Sequence, residues 1–222
     1  TNFAFFPLYP LIINLVSSLT TITPIISGIL ISTAAMIASA FFLSKLVDTN
    51  RLKISKFETL FLFFFFPFSF VLTSVYSDAL FLFTIITSFY FAGSSRWPLA
   101  AAFAFFASLT RLTGVALIPA LALEWWLQRK ERGLNLKMLK DYLRSGFIAP
   151  LAAFAGFASY PLFLQFQFGN WRLFQVSMSA WNQEKFILLP QVIFRYFKIF
   201  FSVAPDTLVY WVAILELASF TL

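Results

Sequence analysis

With no Cys and no His among its 222 residues, this chain can form no disulfide and offers no thiolate nucleophile, no imidazole base and none of the usual zinc or haem ligands. Its chemistry falls to carboxylates, Arg, Lys, Tyr and the backbone. Asp78 closes the polar turn Ser74-Val75-Tyr76-Ser77-Asp78 between two apolar runs. Its carboxylate could cap a helix N-terminus there, or take a substrate-binding or catalytic role. Arg111, between two further apolar runs, carries a planar donor fork suited to a phosphate or pyrophosphate. It could equally snorkel to lipid head groups or pair with Asp78 across a shared cavity. Tyr76 and Thr110 flank these charges as candidate substrate contacts, and Thr113 and Gly114 would let backbone approach closely.

Further along, Trp171, Trp181 and Gln183 combine rings and an amide in the way that sugars are stacked and hydrogen-bonded, although Trp also anchors chains at membrane interfaces. Glu124, just before Trp125-Trp126, reads as an interfacial anchor with that Trp pair in the aromatic belt. Arg195 and Lys198 share a helix face and read as head-group contacts. Glycine is scarce, at 7 residues, and neither GxxxxGK[ST] nor GxGxxG occurs, so a nucleotide-cradling loop is excluded.

These groups must be positioned by an unusually apolar scaffold. The chain is 60% hydrophobic and 11% charged, and no soluble domain of this length has a core large enough to hide 33 Phe. The composition predicts an all-α, polytopic integral membrane protein, a single transmembrane domain over 1–222. The net charge of +7 is then an orientation signal before it is a partner signal, and nucleic acid is not implied.

Apolar runs predict spans over Ile22–Val47, Phe57–Thr73 and Ala79–Ala92, with marginal ones over Pro98–Leu109 and Leu112–Leu127 and another over Phe147–Phe168. The basic linkers 48–56 and 128–146 are predicted to be cytoplasmic, and the four segments between them satisfy the even number of crossings this requires. Phe5 to Pro10, Ser74 to Asp78 and Thr110-Arg111 then share the outer side. Residues 169–203 form an outer loop and an interfacial amphipathic helix, Phe186–Val203, before a last span that opens after Pro205-Asp206. Thr1 runs straight into an aromatic stretch and Ala213 to Leu222 reads as mid-helix, so the expectation is a fragment truncated at both ends, with no assignable signal peptide.

Phe5-Phe6-Pro7-Leu8-Tyr9-Pro10, then Tyr76-Ser77-Asp78-Ala79-Leu80-Phe81, then Ser108-Leu109-Thr110-Arg111-Leu112-Thr113-Gly114-Val115 with Pro119 and Glu124 resemble the pattern of the PIG-V type mannosyltransferases, including GPI mannosyltransferase II and its bacterial homologues, in the GT-C superfamily. Phe174-Gln175 and Trp181 fit its late outer loop, and the likeness covers most of the chain. Asp78 stands where the family often has Glu, and Leu112 where it often has Pro or Ser.

The resemblance implies a GT-C-like helix bundle that moves mannose, with inversion, from a polyprenyl-phosphate carrier to an acceptor hydroxyl on the lumenal or periplasmic side, with no further cofactor. It implies Arg111 as the phosphate clamp and Asp78 as a partner, an acceptor-binding group or a substitute for a main catalytic carboxylate expected upstream of Thr1. Membrane lipid, polyprenyl-phosphate-mannose and a glycolipid or other hydroxyl acceptor are the implied partners. The membrane is that of the endoplasmic reticulum if the source is eukaryotic and the plasma membrane if bacterial. A lipid-linked-sugar flippase is a rival reading, but it would need polar groups through the membrane middle, whereas the charges here sit at span ends. A non-catalytic subunit of a glycosylation complex is the other rival.

Overall fold

A computed structural model of the protein describes residues 3–48, 54–66, 68–132, 146–181 and 189–221, and these residues are helical with no strand. They fall into two compact units, 1–174 and 175–222, which divide inside the segment predicted to be an outer loop.

In the first unit, α1 (Leu8–Thr20) occupies a stretch to which the apolar-run reading assigns no span. It ends where Thr21 adopts a left-handed conformation (φ 60°), and Pro24 opens α2 (Pro24–Asp48). The predicted span Phe57–Thr73 is broken in two. Helix α3 (Lys56–Phe65) stops because Phe66 is extended (φ −60°, ψ 136°), the conformation that a following proline, here Pro67 in the sequence, imposes on its neighbour. The chain resumes as a 3-10 turn, Ser69–Thr73. Then come α4 (Asp78–Gly93), α5 (Trp97–Thr110), a 3-10 turn over Leu112–Ala116, and α6 (Leu117–Arg132). The last element of full length is α7 (Ile148–Phe168), closed by left-handed Gly169.

The helices alternate in direction. α2 and α4 are parallel: the Ser32 hydroxyl donates to the Tyr76 carbonyl (3.3 Å) at one end, and the Phe42 ring sits 5.5 Å from Tyr90 towards the other. α5 returns beside α4, with the Ser88 hydroxyl on the Ala100 carbonyl (2.9 Å), and α6 reverses again to bring Gln128 to Ala92 (2.7 Å). α7 starts against Trp125 through Phe147 (6.0 Å) and ends near Phe3, whose carbonyl accepts from the Tyr160 hydroxyl at 2.8 Å. One end of the bundle thus gathers residues 3–9, 74–78 and Arg111. The other gathers the Asp48–Lys56 ion pair, Ala92 and Gln128, so the first residues of both basic linkers lie at the same end. The first residues of the second linker, 128–132, belong to α6; residues 133–145 lie outside the described residues.

Its packing inverts that of a water-soluble domain. The buried faces are rich in small residues, Ser27, Ser32, Ala35 and Ser39 on α2, Ala79, Thr84 and Ser88 on α4, Ala100, Ala104 and Ala107 on α5, and Ala149, Ala153 and Gly156 on α7, with a few large side chains such as Trp97, Leu121 and Leu164 among them. Most large apolar side chains face outward, Phe166 being 87% exposed. Small residues let backbones approach until dispersion and hydroxyl hydrogen bonds hold them, the usual solution where the surroundings are as apolar as the side chains. Among the described residues, two helices, Pro24–Asp48 (25 residues) and Ile148–Phe168 (21 residues), are long and apolar enough to cross a bilayer.

The second unit holds α9 (Leu189–Ser202) and α10 (Leu208–Thr221), preceded by a 3-10 turn, Met178–Trp181, that follows the short α8 (Leu173–Ser177) at the boundary. α9 and α10 form a hairpin, joined by the Phe200–Tyr210 ring contact (5.6 Å) and a hydrogen bond from the Tyr196 hydroxyl to Glu216 (2.9 Å). A helix occupies most of the segment predicted to be amphipathic, from Leu189 to Ser202, and residues 186–188 lie outside the described ones. Arg195 and Lys198 are exposed on it, and so are Phe194, Phe197 and Phe201.

Candidate functional site: an ion pair at the end of an apolar cleft

The site is built from a helix that stops and a helix that starts. α5 ends at Thr110, and Arg111 is fully extended (φ −148°, ψ 148°), which carries its side chain away from the helix axis and across to Asp78, the first residue of α4. The chain then tightens into the 3-10 turn, with the Gly114 amide on the Arg111 carbonyl (3.0 Å). Gly114 is needed because this turn folds back onto α5: a Cβ here would overlap the backbone of Ser108 and Ala107. The close approach expected at Gly114 exists, and its partner is the protein's own backbone.

Arg111 donates from Nη1 to Oδ1 of Asp78, and its guanidinium carbon lies 5.8 Å from the centre of the Phe81 ring. The two side chains are 37% and 32% exposed, so the pair sits at a rim that water reaches. Beneath it runs a cleft of about 700 Å³ between α2, α3, the Ser69–Thr73 turn and α4. It extends from Leu43 and Thr59 past Leu62, Phe63, Phe66, Val71 and Leu82 to the charged pair. Its hydroxyls are turned to their own backbone, Ser69 to the Phe63 carbonyl (2.7 Å) and Thr59 to that of Ser55 (3.0 Å). Among the lining residues only Asp78 and Arg111 are charged, so the cleft is chemically a long apolar trough with a cation and an anion at one end.

Of the predicted site residues, the structure brings Asp78 and Arg111 together. The Tyr76 ring is exposed and is not among the lining side chains; its carbonyl takes the Ser32 hydrogen bond instead. Thr110 is buried, with its hydroxyl bonded back to the Phe106 carbonyl at 2.7 Å. Trp181 ends a 3-10 turn in the second unit, and Gln183 lies outside the described residues. Trp171, in the first unit, is half-exposed beside the Arg172 guanidinium (5.0 Å). The Trp pair splits: Trp126 is exposed, whereas Trp125 is buried in the core, since adjacent helical residues point about 100° apart. The aromatic N-terminal motif also packs. Phe6 sits among Tyr160 (5.1 Å) and Phe174 (6.2 Å), and the Tyr9 hydroxyl meets Ser32 (2.7 Å) and the Gly28 carbonyl (3.1 Å).

Two polar residues escape a reading by apolar runs. Glu216 interrupts α10 with a carboxylate in the middle of an apolar helix, a signal visible in the sequence. Gln128 stands at the start of the basic linker, where an exposed role is the natural expectation, yet it is 1% exposed. It donates to the Ala92 carbonyl and to Glu124 (both 2.7 Å) and accepts from the Ser95 hydroxyl (3.1 Å), tying the ends of α4 and α6 together. Gln128→Leu is expected to destabilise the first unit by about 1–2 kcal/mol, measured as a lower unfolding midpoint in micelles, because it strips partners from buried polar groups.

No protein-family model, curated protein or solved structure matches this chain.

Proposed function

We propose that this protein is a polytopic membrane glycosyltransferase that draws a sugar, mannose or a close relative, from a polyprenyl-phosphate donor. The observation that carries this reading is the apolar cleft ending on Arg111. A polyprenyl phosphate has the complementary shape and charge: a long apolar tail and one anionic head. The tail lies against α3 and α4, and the guanidinium fork takes phosphate oxygens. The resemblance of the flanking motifs to the PIG-V type mannosyltransferases supplies the sugar and the stereochemistry, and no nucleotide or other cofactor is called for.

On this reading the Arg111 end faces the lumen or periplasm and the basic linkers face the cytoplasm. Helices as short as α4, at 16 residues or about 24 Å, cross by local thinning and snorkelling flanks. The acceptor oxygen attacks the anomeric carbon from the side opposite the phosphate. The bond from that carbon to the phosphate oxygen breaks, its electron pair leaves with the phosphate, and the acceptor proton passes to a carboxylate. Arg111 stabilises the charge gathering on the departing phosphate. Asp78 partners Arg111 in the empty cleft, and the base is another carboxylate. The membrane is the endoplasmic reticulum or a bacterial plasma membrane, and the acceptor is a glycolipid or another exposed hydroxyl.

The test is transfer of radiolabelled mannose from polyprenyl-phosphate-mannose to lipid and protein acceptors by membranes containing the full-length protein. Label in an acceptor, absent from control membranes, supports the proposal. Transfer no faster than in the control, with the protein folded and present, would sink it in favour of a non-catalytic subunit.

A further inference from the structure

We infer that the Asp78–Arg111 pair is an exchangeable latch: the carboxylate occupies the phosphate position on Arg111 while the cleft is empty and must leave before an anionic head group can bind. This rests on the cleft reading proposed above and adds to it a competitor built into the chain.

The geometry supports exchange over a fixed brace. A brace holding a guanidinium in place is expected to be bidentate and buried, where removing either partner would be costly. Here one nitrogen, Nη1, meets one oxygen, Oδ1, and both side chains are about a third exposed. Such a pair has little net strength against water, so it can open and re-form. It still has a role, because an unpaired cation beside the walls formed by Phe63, Phe66 and Leu82 is unfavourable until a ligand arrives.

Each partner also has somewhere to be when the pair opens. The Arg111 guanidinium is near the face of Phe81, whose ring can hold a cation over the cleft. Asp78 is the first residue of α4, and Ser77 before it makes no side-chain capping bond, so the helix offers free amides and a favourable dipole to the released carboxylate. The latch therefore has two positions for Asp78, on Arg111 or over the α4 terminus, and a phosphate selects the second.

The two roles for Asp78 predict opposite signs. If it competes with phosphate, neutralising it tightens binding; if it braces Arg111, neutralising it loosens binding. The measurement is equilibrium binding of farnesyl phosphate, a short isoprenoid monophosphate, to the full-length protein in micelles, with farnesol as the uncharged control. Asp78→Asn is expected to bind farnesyl phosphate roughly tenfold more tightly than the parent, since a like charge beside the ligand has been removed, with farnesol unaffected. Arg111→Ala is expected to lose the preference for the phosphate over farnesol. Unchanged or weaker farnesyl phosphate binding by Asp78→Asn, or equal tightening for farnesol, overturns the latch while leaving Arg111 as the phosphate contact. A preference that survives Arg111→Ala overturns the cleft reading itself, and the latch with it. Unfolding midpoints are measured alongside, and Asp78→Ser, whose hydroxyl can cap α4, replaces any Asn variant that fails to fold.

Discussion

Arg111→Ala in the full-length protein is expected to lower sugar transfer by about 10²–10³-fold, the usual effect of deleting a charged or dipolar group aimed at the charge that develops in a transition state. Protein level and unfolding midpoint should change little, because the lost ion pair is part-exposed and contributes about 1 kcal/mol or less. That contrast makes the result informative: a residue that mattered only to folding would lower amount and activity together. Arg111→Lys should fall between, as it keeps the charge but loses the planar fork. The check is initial transfer rate per folded molecule for the three proteins. Equal rates in Arg111→Ala and the parent would remove Arg111 from the mechanism.

The largest effect on stability is expected at Gly156, where α7 crosses α5. A Cβ at this position would overlap the Phe105 carbonyl, which belongs to helix backbone and cannot swing aside. Gly156→Leu must therefore push the two helices apart along their shared Ala stripe, at a cost of about 3 kcal/mol or more. Phe166, ten residues on along the same helix, supplies the control. A large residue removed there in Phe166→Leu leaves no void, because Phe166 is 87% exposed, and the change should be within about 0.5 kcal/mol. Denaturant or SDS titration of both variants measures the difference. Comparable losses would mean that the α5–α7 contact is not a principal packing surface.

The contrast between those positions also explains which parts of the structure were legible in the sequence. Arg and Lys at 51–56 and 129–144 mark two linkers in the sequence, and the alternating helices bring Asp48 and Gln128, where these linkers begin, to one end of the first unit. The turn at 74–78 and the Thr110-Arg111 break were visible as polar interruptions, and pairing of Asp78 with Arg111 was among the outcomes they allowed. The facing of the helices was not legible. In runs such as Phe63 to Phe66 or Ala100 to Ala107 every residue is apolar, so no period in hydropathy marks an inside. Size marks it instead along α5 and α7, where Ala, Ser, Gly and Thr fill most of the inward face and most Phe turn out. Read by size, α5 and α7 would have declared their contact. The broken span at Phe66 had its own signal in Pro67, which an apolar-run reading passes over because proline does not lower apolarity much. Gln128 was hidden for the opposite reason: its polarity suggests the linker, while its position one turn after Glu124 lets it reach α4.

The small-residue interior bears on how this molecule responds to temperature. Unfolding a water-soluble domain exposes oily surface to water, and the resulting heat-capacity increase bends its stability curve into a dome. On the membrane reading proposed above, the helices of the first unit would separate within a bilayer, uncovering a surface rich in Ala, Ser, Gly and Thr onto which lipid tails rather than water move. The heat-capacity change should be small and the stability close to linear in temperature, with no fall on cooling. What holds α5 to α7 is contact enthalpy between closely fitted backbones, a force that persists in the cold.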